Sequence, residues 1–215
     1  EEEYRPYYRP ALSDLLSEDL PDDRLYVFDS AWYEDNRVEL RTKTRVEKIE
    51  PDQKVVVTGE GESIPYTKLI YAAGARSNIP PFKGLEDRGV YSLRSLSDAL
   101  ILKEAIKAAR KAVVIGGGVL GLEAVWEMVS SGTEVAVVEY SPRIMPRQLD
   151  EPSSLRLQQL MESKGVKLYL GKGVEEIVGD GQVQGVRLND GQLLEAELVL
   201  LSTGVKPNVE LAREA

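Results

Sequence analysis

The chain has 215 residues, 42% of them hydrophobic, and a formal net charge of −9. It contains no cysteine and no histidine, which excludes a thiol nucleophile, a redox disulfide and an iron–sulfur cluster within these residues and removes the commonest proton shuttle and zinc ligand. We therefore expect redox chemistry to need a bound cofactor and expect no metal site, while the negative charge argues against nucleic acid as a partner.

The sequence indicates neither a membrane span nor a secretory leader. No apolar run approaches about 18 residues, and the chain opens EEEYRP rather than with a basic and apolar leader. We therefore expect a cytoplasmic protein with no membrane partner. Its length suits two domains of about a hundred residues each.

The first half of the chain predicts short elements followed by one longer helix. A short helix is expected at residues 30–35, and short strands separated by turn-forming residues are expected at 38–41, 45–49, 54–57 and 69–73. The helix predicted over residues 95–110 begins with a capping-box pattern, Ser95 with Asp98. Its apolar residues can share one side.

The most informative segment is 111–121, an apolar strand that runs directly into a glycine loop. In its G-x-G-x-x-G pattern, Gly116 is expected to make the tight turn and Gly118 to let the backbone approach a pyrophosphate. Gly121 is expected to let the next helix, predicted over residues 119–131, pack against the strand. The phosphates would then lie at the N-terminus of that helix.

A second predicted strand, 133–138, completes a strand–helix–strand unit and ends at a carboxylate. Glu139 follows Gly121 by 18 positions, where an acidic side chain accepts hydrogen bonds from a ribose 2′-hydroxyl and repels a 2′-phosphate. We therefore expect NAD(H) rather than NADP(H). Arg143 and Arg147 favour the opposite interpretation, because arginine can accept a 2′-phosphate, but Glu139 outweighs them.

The remaining residues predict the rest of a dinucleotide domain. A helix is expected at 152–164, ended by Gly165, and strands at 166–170, 174–178, 183–188 and 198–201. Turns at residues 179–181 and 189–191 mark two hairpins. The expected fold class is α/β, a Rossmann-like domain with a three-stranded antiparallel β-meander before its last parallel strand.

Six segments, in this order, resemble the flavin-dependent pyridine-nucleotide oxidoreductases related to glutathione reductase. They are YRPYYRPALS, KLIYAAGARSNIPPFKG, VYSLRSLSDAL, VVIGGGVLGLEAV, VVEYSPRIMPRQLD and LVLLSTGVKPNVELA. The resemblance covers nearly the whole chain. Within the family it is greatest to the NADH:rubredoxin reductases, and next to the ferredoxin reductases and the flavin portion of the NAD(P)H-nitrite reductases.

The resemblance implies a glutathione reductase-type NAD domain inserted in an FAD domain. The first ten residues carry no apolar strand, so the FAD domain is expected to be truncated. The implied division is a partial FAD-binding domain at residues 1–108, an NAD(P)-binding domain at 109–208 and a segment returning toward the FAD domain at 209–215.

Residue by residue, the resemblance also implies which groups contact FAD. Arg9 and Pro10 would lie near the flavin, and the backbone of Val46 would contact the adenine. The residues beside the FAD pyrophosphate would be Ala73, Gly74 and Arg76. Ala73 replaces the threonine that is usual in the family, which removes one hydroxyl group without implying loss of binding.

The same resemblance implies the NAD contacts. The residues on the pyrophosphate would be Val119, Leu120 and Gly121. Glu139 would bind the adenosine ribose, and Arg147 would lie near the adenosine half of the cofactor. Glu123 would reach the nicotinamide, and Gly204 would border the nicotinamide pocket.

The absence of cysteine separates the chain from the NADH oxidase and coenzyme A disulfide reductase branches, in which the segment matching YYRPALS carries a reactive cysteine. The implied reaction passes hydride from NADH to FAD and then electrons to a small carrier such as rubredoxin or ferredoxin, or to a reductase partner domain for nitrite reduction. One alternative is that this segment alone is a non-catalytic NAD(H)-binding module. Another is a stand-alone dehydrogenase, which would need tyrosine or lysine as proton donor because histidine is absent.

Overall fold

The computed structural model describes residues 1–215. Two short 3-10 helices come first, at Arg9–Leu12 and Asp14–Leu16. The α-helices are α1 (Asp22–Leu25), α2 (Ser30–Asp35), α3 (Leu96–Ala108), α4 (Val119–Ser130), α5 (Glu151–Ser163) and α6 (Glu210–Glu214). The strands are β1 (Val46–Glu50), β2 (Val55–Thr58), β3 (Ser63–Pro65), β4 (Ala75–Ser77), β5 (Val90–Ser92), β6 (Lys111–Ile115), β7 (Glu134–Glu139), β8 (Lys167–Leu170), β9 (Val174–Gly179), β10 (Val183–Leu188), β11 (Leu193–Glu195), β12 (Leu198–Leu201) and β13 (Val205–Pro207). No helix combines the length and the apolar character that crossing a bilayer requires.

The chain forms two compact units. The smaller unit consists of Glu1–Tyr8, Pro21–Arg76 and Val205–Ala215, and the larger unit consists of Arg9–Leu20 and Ser77–Gly204. The domain boundaries expected from the sequence, 1–108, 109–208 and 209–215, stay a prediction, and the units divide the chain at other positions. One reason is β5, which precedes residue 109 and yet pairs with β12 in the main sheet of the larger unit.

A five-stranded parallel sheet organises the larger unit, with the strand order β5-β12-β6-β7-β8. From β6 the chain proceeds to β7 and β8 on one side and later returns to β12 on the other side. The strand order therefore reverses between β6 and β12, whose last residues, Ile115 and Leu201, are paired in register. Ligands of doubly wound sheets bind at the carboxyl ends of the strands at such a reversal.

The buried strands of this sheet are covered on both faces, which explains their nearly continuous apolar sequences. On one face, side chains of β6 and β12 pack with the β9-β10-β11 meander in a single cluster that includes Val113, Ile115, Val199 and Leu201. The alternate residues point the other way, and α4 and α5 pack against β6, β7 and β8. Each fully buried aliphatic side chain contributes about 1.5–3 kcal/mol to folding.

The smaller unit contains an antiparallel sheet, β1-β2-β3, and a second pair of strands, β4 with β13. Helix α2 is capped by Asp29, whose carboxylate accepts a hydrogen bond from the backbone N–H of Trp32 at 2.8 Å. The Trp32 ring stacks on Phe28 with 3.8 Å between ring centroids. Trp32 therefore packs within the smaller unit.

The predicted elements of the larger unit are largely confirmed, including the meander before the last parallel strand. The capping box of α3 is present. The Asp98 N–H donates to Ser95 Oγ at 3.1 Å, and the Ser95 N–H donates to Asp98 Oδ2 at 2.8 Å. These signals are local in sequence, so the sequence pattern alone is sufficient to predict the helix and its cap.

Two strands predicted for the smaller unit are wrong. Residues 38–41 and 69–73 adopt no regular structure, although both segments carry residues typical of strands. A strand requires a hydrogen-bonded neighbour, and no strand of the structure pairs with either segment. The side chain of Ile70 is accordingly 89% exposed.

Candidate dinucleotide-binding site

The glycine loop lies at the carboxyl ends of β6 and β12. Gly116 has a φ of 114°, and a Cβ at this position would lie 2.2 Å from the carbonyl oxygen of Ser202. A Cβ at Gly121 would lie 2.4 Å from the carbonyl oxygen of Gly116. Contacts within the protein therefore require both glycines, one for the tight turn and one for the close approach of α4.

Gly118 differs from these two glycines because it faces open space. A Cβ built there meets no atom within 4 Å, and its φ of −84° is accessible to any residue. Gly118 is the N-cap of α4, and no side chain caps the first turn, which leaves the first N–H groups of the helix without a capping partner. Open space beside these N–H groups fits a pyrophosphate.

The next two residues border this space. Val119 and Leu120 begin α4 and are 38% and 43% exposed, although both are apolar. Exposed aliphatic side chains in the first turn of a helix can contact a bound dinucleotide while the backbone N–H groups face its phosphates. The predicted contacts of Gly118, Val119 and Leu120 with the pyrophosphate thus fit the geometry, whereas Gly121 is buried against the loop. All four contacts stay predictions.

The carboxylate of Glu139 is fixed beside the loop. Its Oε2 accepts a hydrogen bond from the Gly117 N–H at 2.7 Å, and its Oε1 accepts one from the Ser141 N–H at 2.7 Å. Each carboxylate oxygen retains capacity for a further donor. A charged acceptor held at the end of β7 can bind a ribose hydroxyl group and repel a 2′-phosphate.

The two arginines that favour NADPH have different environments. Arg143 donates to the carbonyl oxygens of Pro146, at 3.0 Å, and Leu149, within its own loop. Arg147 is exposed and forms no hydrogen bond or ion pair. The same loop contains Met145, which has a φ of 47° and donates its N–H to the Gly117 carbonyl oxygen at 2.9 Å. Arg143 therefore shapes the loop, and Arg147 remains available to a ligand.

Glu123 lines a cavity of about 420 Å³ within the larger unit. The cavity lies along α4 and is bordered by the 3-10 helices and by α5, with a mostly apolar lining that includes Pro10, Val119 and Trp126. The Ser13 hydroxyl donates to Glu123 Oε2 at 3.1 Å. An apolar wall beside a carboxylate suits an aromatic ring that carries an amide, as predicted for the nicotinamide.

Gly204 follows β12 and has a φ of 89° with no atom within 4 Å of a Cβ built there. Its carbonyl oxygen accepts a hydrogen bond from the Asn78 N–H at 2.9 Å. The side-chain amide of Asn78 donates to the Thr203 carbonyl oxygen, and the Thr203 hydroxyl donates to the backbone carbonyl oxygen of Asn78. The turn is thus fixed, and its place at the nicotinamide pocket stays a prediction.

The residues expected at FAD are divided between the two units. Arg9 and Pro10 belong to the larger unit, where the Arg9 guanidinium donates to the Arg94 carbonyl at 2.7 Å. Those in the smaller unit are Val46, Ala73, Gly74 and Arg76.

Asn208 organises the segment 73–76. Its side chain donates to the Ala73 carbonyl at 2.9 Å, its N–H donates to the Gly74 carbonyl at 3.0 Å, and its Oδ1 accepts from Arg76 at 2.9 Å. Arg76 also pairs with Glu210 at 2.7 Å. This hydrogen-bonded pair raises the pKa of Arg76 and lowers the pKa of Glu210 to about 2. The FAD contacts of Val46, Ala73, Gly74 and Arg76 stay predictions.

Sequence reasoning missed Ser13 and Asn208. Ser13 is 110 positions from Glu123, and Asn208 is 135 positions from Ala73. Neither contact has a signal at short range in the sequence, because both depend on how distant segments meet. No group of three or more acidic side chains is arranged to hold a metal ion.

The family model described as pyridine nucleotide-disulphide oxidoreductase matches residues 1–215. The chain belongs to this family. Membership and the solved structures that the chain resembles confirm the expected α/β fold class and the two expected cofactor classes, pyridine nucleotide and FAD. The roles of single residues, the preference for NADH and the electron acceptor stay predictions.

Individual members are similar over nearly the whole chain. The chain is 38% identical over 209 residues to the NAD(P)H nitrite reductase of Bacillus subtilis, covering 97% of this chain and 26% of that protein. It is 32% identical over 213 residues to the NADH-rubredoxin oxidoreductase of Clostridium acetobutylicum, covering 99% and 52%. A solved ferredoxin reductase from Rhodopseudomonas palustris matches with a TM-score of 0.95 at 31% identity, covering 100% of this chain and 53% of that one. The chain thus spans between about a quarter and about half of these relatives.

Proposed function

We propose that the protein containing this chain is an FAD-dependent NADH oxidoreductase that passes electrons to a small carrier protein such as rubredoxin or ferredoxin, or to a reductase partner domain for nitrite reduction. The observation that carries this proposal is the constellation inside the larger unit. It combines the open space at Gly118, the uncapped N-terminus of α4 and the fixed carboxylate of Glu139.

In this proposal the first turn of α4 holds the NADH pyrophosphate, and Glu139 accepts the ribose hydroxyl groups. Arg147 contacts the adenosine half from the loop after β7. Glu123 orients the nicotinamide against the apolar wall of the cavity. When bound, the nicotinamide supplies a hydride that the flavin accepts and passes on as single electrons.

The acceptor is proposed from two observations. The relatives named above are a nitrite reductase, a rubredoxin oxidoreductase and a ferredoxin reductase. The chain itself contains no cysteine, so a thiol within these residues cannot receive the electrons. A small carrier or a partner domain therefore fits better than a thiol relay within this segment. The proposed location is the cytoplasm.

A second candidate function is NAD(H) binding without catalysis by this chain alone. It is favoured by the fact that Gly118, Glu123, Glu139 and Arg147 all belong to the larger unit. That unit contains a complete parallel sheet with both faces covered, so these residues do not need the smaller unit to be held in place.

The proposal is tested by an absorbance spectrum of the full-length protein and by assays of NADH oxidation with a one-electron dye, rubredoxin or ferredoxin as acceptor. We expect flavin bands and turnover with the dye and with at least one carrier. A colourless full-length protein without NADH oxidation would contradict the proposal. A stoichiometric flavin spectrum in the 215-residue chain alone would refute the second candidate.

A further inference from the structure

Two serines and two glutamates form matched pairs between the segment 9–20 and α4. Ser13 Oγ donates to Glu123 Oε2 at 3.1 Å, and Ser17 Oγ donates to Glu127 Oε2. The serines are four residues apart, and so are the glutamates. Residues four apart on a helix share one face, so both carboxylates of α4 meet the same segment.

The segment that carries the serines is itself firmly held. The Nζ of Lys103, on α3, donates to the Glu18 carbonyl at 2.8 Å and to Asp19 Oδ1 at 2.6 Å, and the Lys103 side chain is only 10% exposed. Leu12, Leu15 and Leu16 are buried, and Ser13 between them is 5% exposed. The Ser13 hydroxyl is therefore a fixed donor rather than a mobile surface group.

One proton of Ser13 has two acceptors within reach. Besides Glu123 at 3.1 Å, the carbonyl oxygen of Pro10 lies 3.2 Å from Ser13 Oγ. A carboxylate is the stronger acceptor of the two because it carries a full charge. The bond to Glu123 is thus favoured while Glu123 is ionised.

The hydrogen-bond partner of Glu123, Ser13, is neutral, and no cation compensates the charge of the Glu123 carboxylate. Glu123 forms no ion pair, and no lysine or arginine lines the cavity. The Nζ of Lys164 lies 5.8 Å from the ring centroid of Trp126, which lines the cavity, but Lys164 itself is not part of the lining. A carboxylate held by a hydroxyl keeps its negative charge directed at the cavity, where it attracts a positive ring.

We propose that Ser13 is a positioning residue that holds the Glu123 carboxylate toward the nicotinamide. The nicotinamide ring of NAD⁺ is cationic and that of NADH is neutral. The hydrogen bond from Ser13 therefore raises the affinity of the site for NAD⁺ relative to its affinity for NADH. The inference rests on the proposed function, because it requires the nicotinamide to lie beside Glu123.

The test measures the dissociation constants of NAD⁺ and NADH by fluorescence or calorimetric titration, with thermal melting of each variant as the folding control. Ser13→Ala is expected to weaken NAD⁺ relative to NADH by about three- to tenfold, and Glu123→Gln by about tenfold or more. Ser13→Thr, which keeps the hydroxyl, is expected to restore the wild-type ratio. Ser17→Ala removes the other serine–glutamate pair and is the matched control, with a ratio within about twofold of wild type.

The double variant of Ser13→Ala with Glu123→Gln should show no further change beyond Glu123→Gln, since Ser13 acts through Glu123. Additive effects, or an unchanged ratio in Ser13→Ala with both dinucleotides still bound, would overturn this inference and leave the proposed function standing. Failure of the wild-type protein to bind either dinucleotide would overturn both.

Discussion

Three glycines, Gly116, Gly118 and Gly121, lie within six residues of each other, yet their surroundings differ. Gly116 and Gly121 each lie so close to a carbonyl oxygen that a methyl group does not fit, whereas Gly118 faces nothing in the protein. Two of these glycines therefore contribute to folding, and the third leaves room for a ligand. Substitution by alanine at Gly118 and at Gly121 should distinguish the role in ligand binding from the role in folding.

Gly118→Ala is expected to fold normally and to bind NADH poorly. Its φ of −84° and free surroundings impose no strain, so the melting temperature should change by no more than about 2 °C. The added methyl group occupies the space at the helix N-terminus, and we expect at least about a tenfold loss of NADH affinity in a fluorescence titration. Unchanged affinity would show that the pyrophosphate does not lie there.

Gly121→Ala is expected to give the opposite result. The new Cβ would lie 2.4 Å from the Gly116 carbonyl oxygen and 3.1 Å from the Ser202 Cβ, so α4 must shift away from the loop. Overpacking of this kind costs about 1–3 kcal/mol, which corresponds to a loss of about 2–10 °C in melting temperature. A melting temperature equal to that of wild type would contradict close packing of α4 against the loop.

At the residue scale the sequence predicts best what the local pattern dictates. The tight turn at Gly116 and the close packing at Gly121 follow from spacing alone, and so does the position of Glu139 at the end of its strand. The carboxylate's two backbone donors, Gly117 and Ser141, are also near in sequence. The bond from Ser13 to Glu123 could not be foreseen, because 110 positions separate the two residues.

Among the elements, α3 depends on its first turn. Ser95→Ala removes the acceptor of the Asp98 N–H and should destabilise the chain by about 1 kcal/mol, measured by chemical denaturation. Ser97→Ala is the matched control, since Ser97 is exposed on the same helix and is not the cap. It should leave stability unchanged or raise it slightly, because alanine has the higher helix propensity. Equal losses in both variants would contradict the assignment of the cap.

The ion pair between Arg76 and Glu210 of α6 should make the stability of the folded chain depend on pH. The pKa of Glu210 falls from 4.5 to about 2 because Arg76 hydrogen-bonds its carboxylate. A group whose pKa is lower in the folded state adds stability above its unfolded pKa, and this stability is lost as the pH falls from 4.5 toward 2. Both side chains are about half exposed, so the effect is small.

Glu210→Gln should therefore lower the melting temperature slightly at pH 7, and the difference from wild type should shrink as the pH is lowered from 4.5 to 3. Glu214→Gln provides the comparison, since Glu214 lies on the same helix and has no ion-pair partner. It should melt like the wild type at every pH. A Glu210→Gln difference that stays constant from pH 7 to pH 3 would exclude the pair as its source.

The elements that the sequence predicted correctly are those whose signals are complete within a short window. Helix α3 has its capping box, and β6 has a continuous apolar run before a glycine. Residues 69–73 have a similar run, but strand structure depends on a partner that a local pattern does not contain. The sequence did not predict β4 and β13. Each has only three residues, and each is a strand because it pairs with the other, which is distant in the sequence.

For the whole molecule, the position of the site follows from topology. The strand order of the larger unit reverses between β6 and β12. Glu139 is the last residue of β7, and the glycine loop and Gly204 follow the carboxyl ends of β6 and β12. The sequence predicted this arrangement because a strand–helix–strand unit with a glycine loop admits few topologies. It did not predict that β5 joins the same sheet, because a three-residue strand has no distinctive pattern.

We expect the larger unit to hold a dinucleotide site that is selective for NADH, and parallel titrations with NADH and NADPH measure this selectivity. The wild-type chain should bind NADH at least about tenfold more tightly than NADPH. Glu139→Gln should reduce this preference by removing the charge that repels the 2′-phosphate. Glu134→Gln, which removes a charge from the same strand, β7, far from the loop, should keep the preference. Equal affinity for the two dinucleotides would exclude an NADH-selective site, and a preference that Glu139→Gln leaves intact would exclude Glu139 as its source.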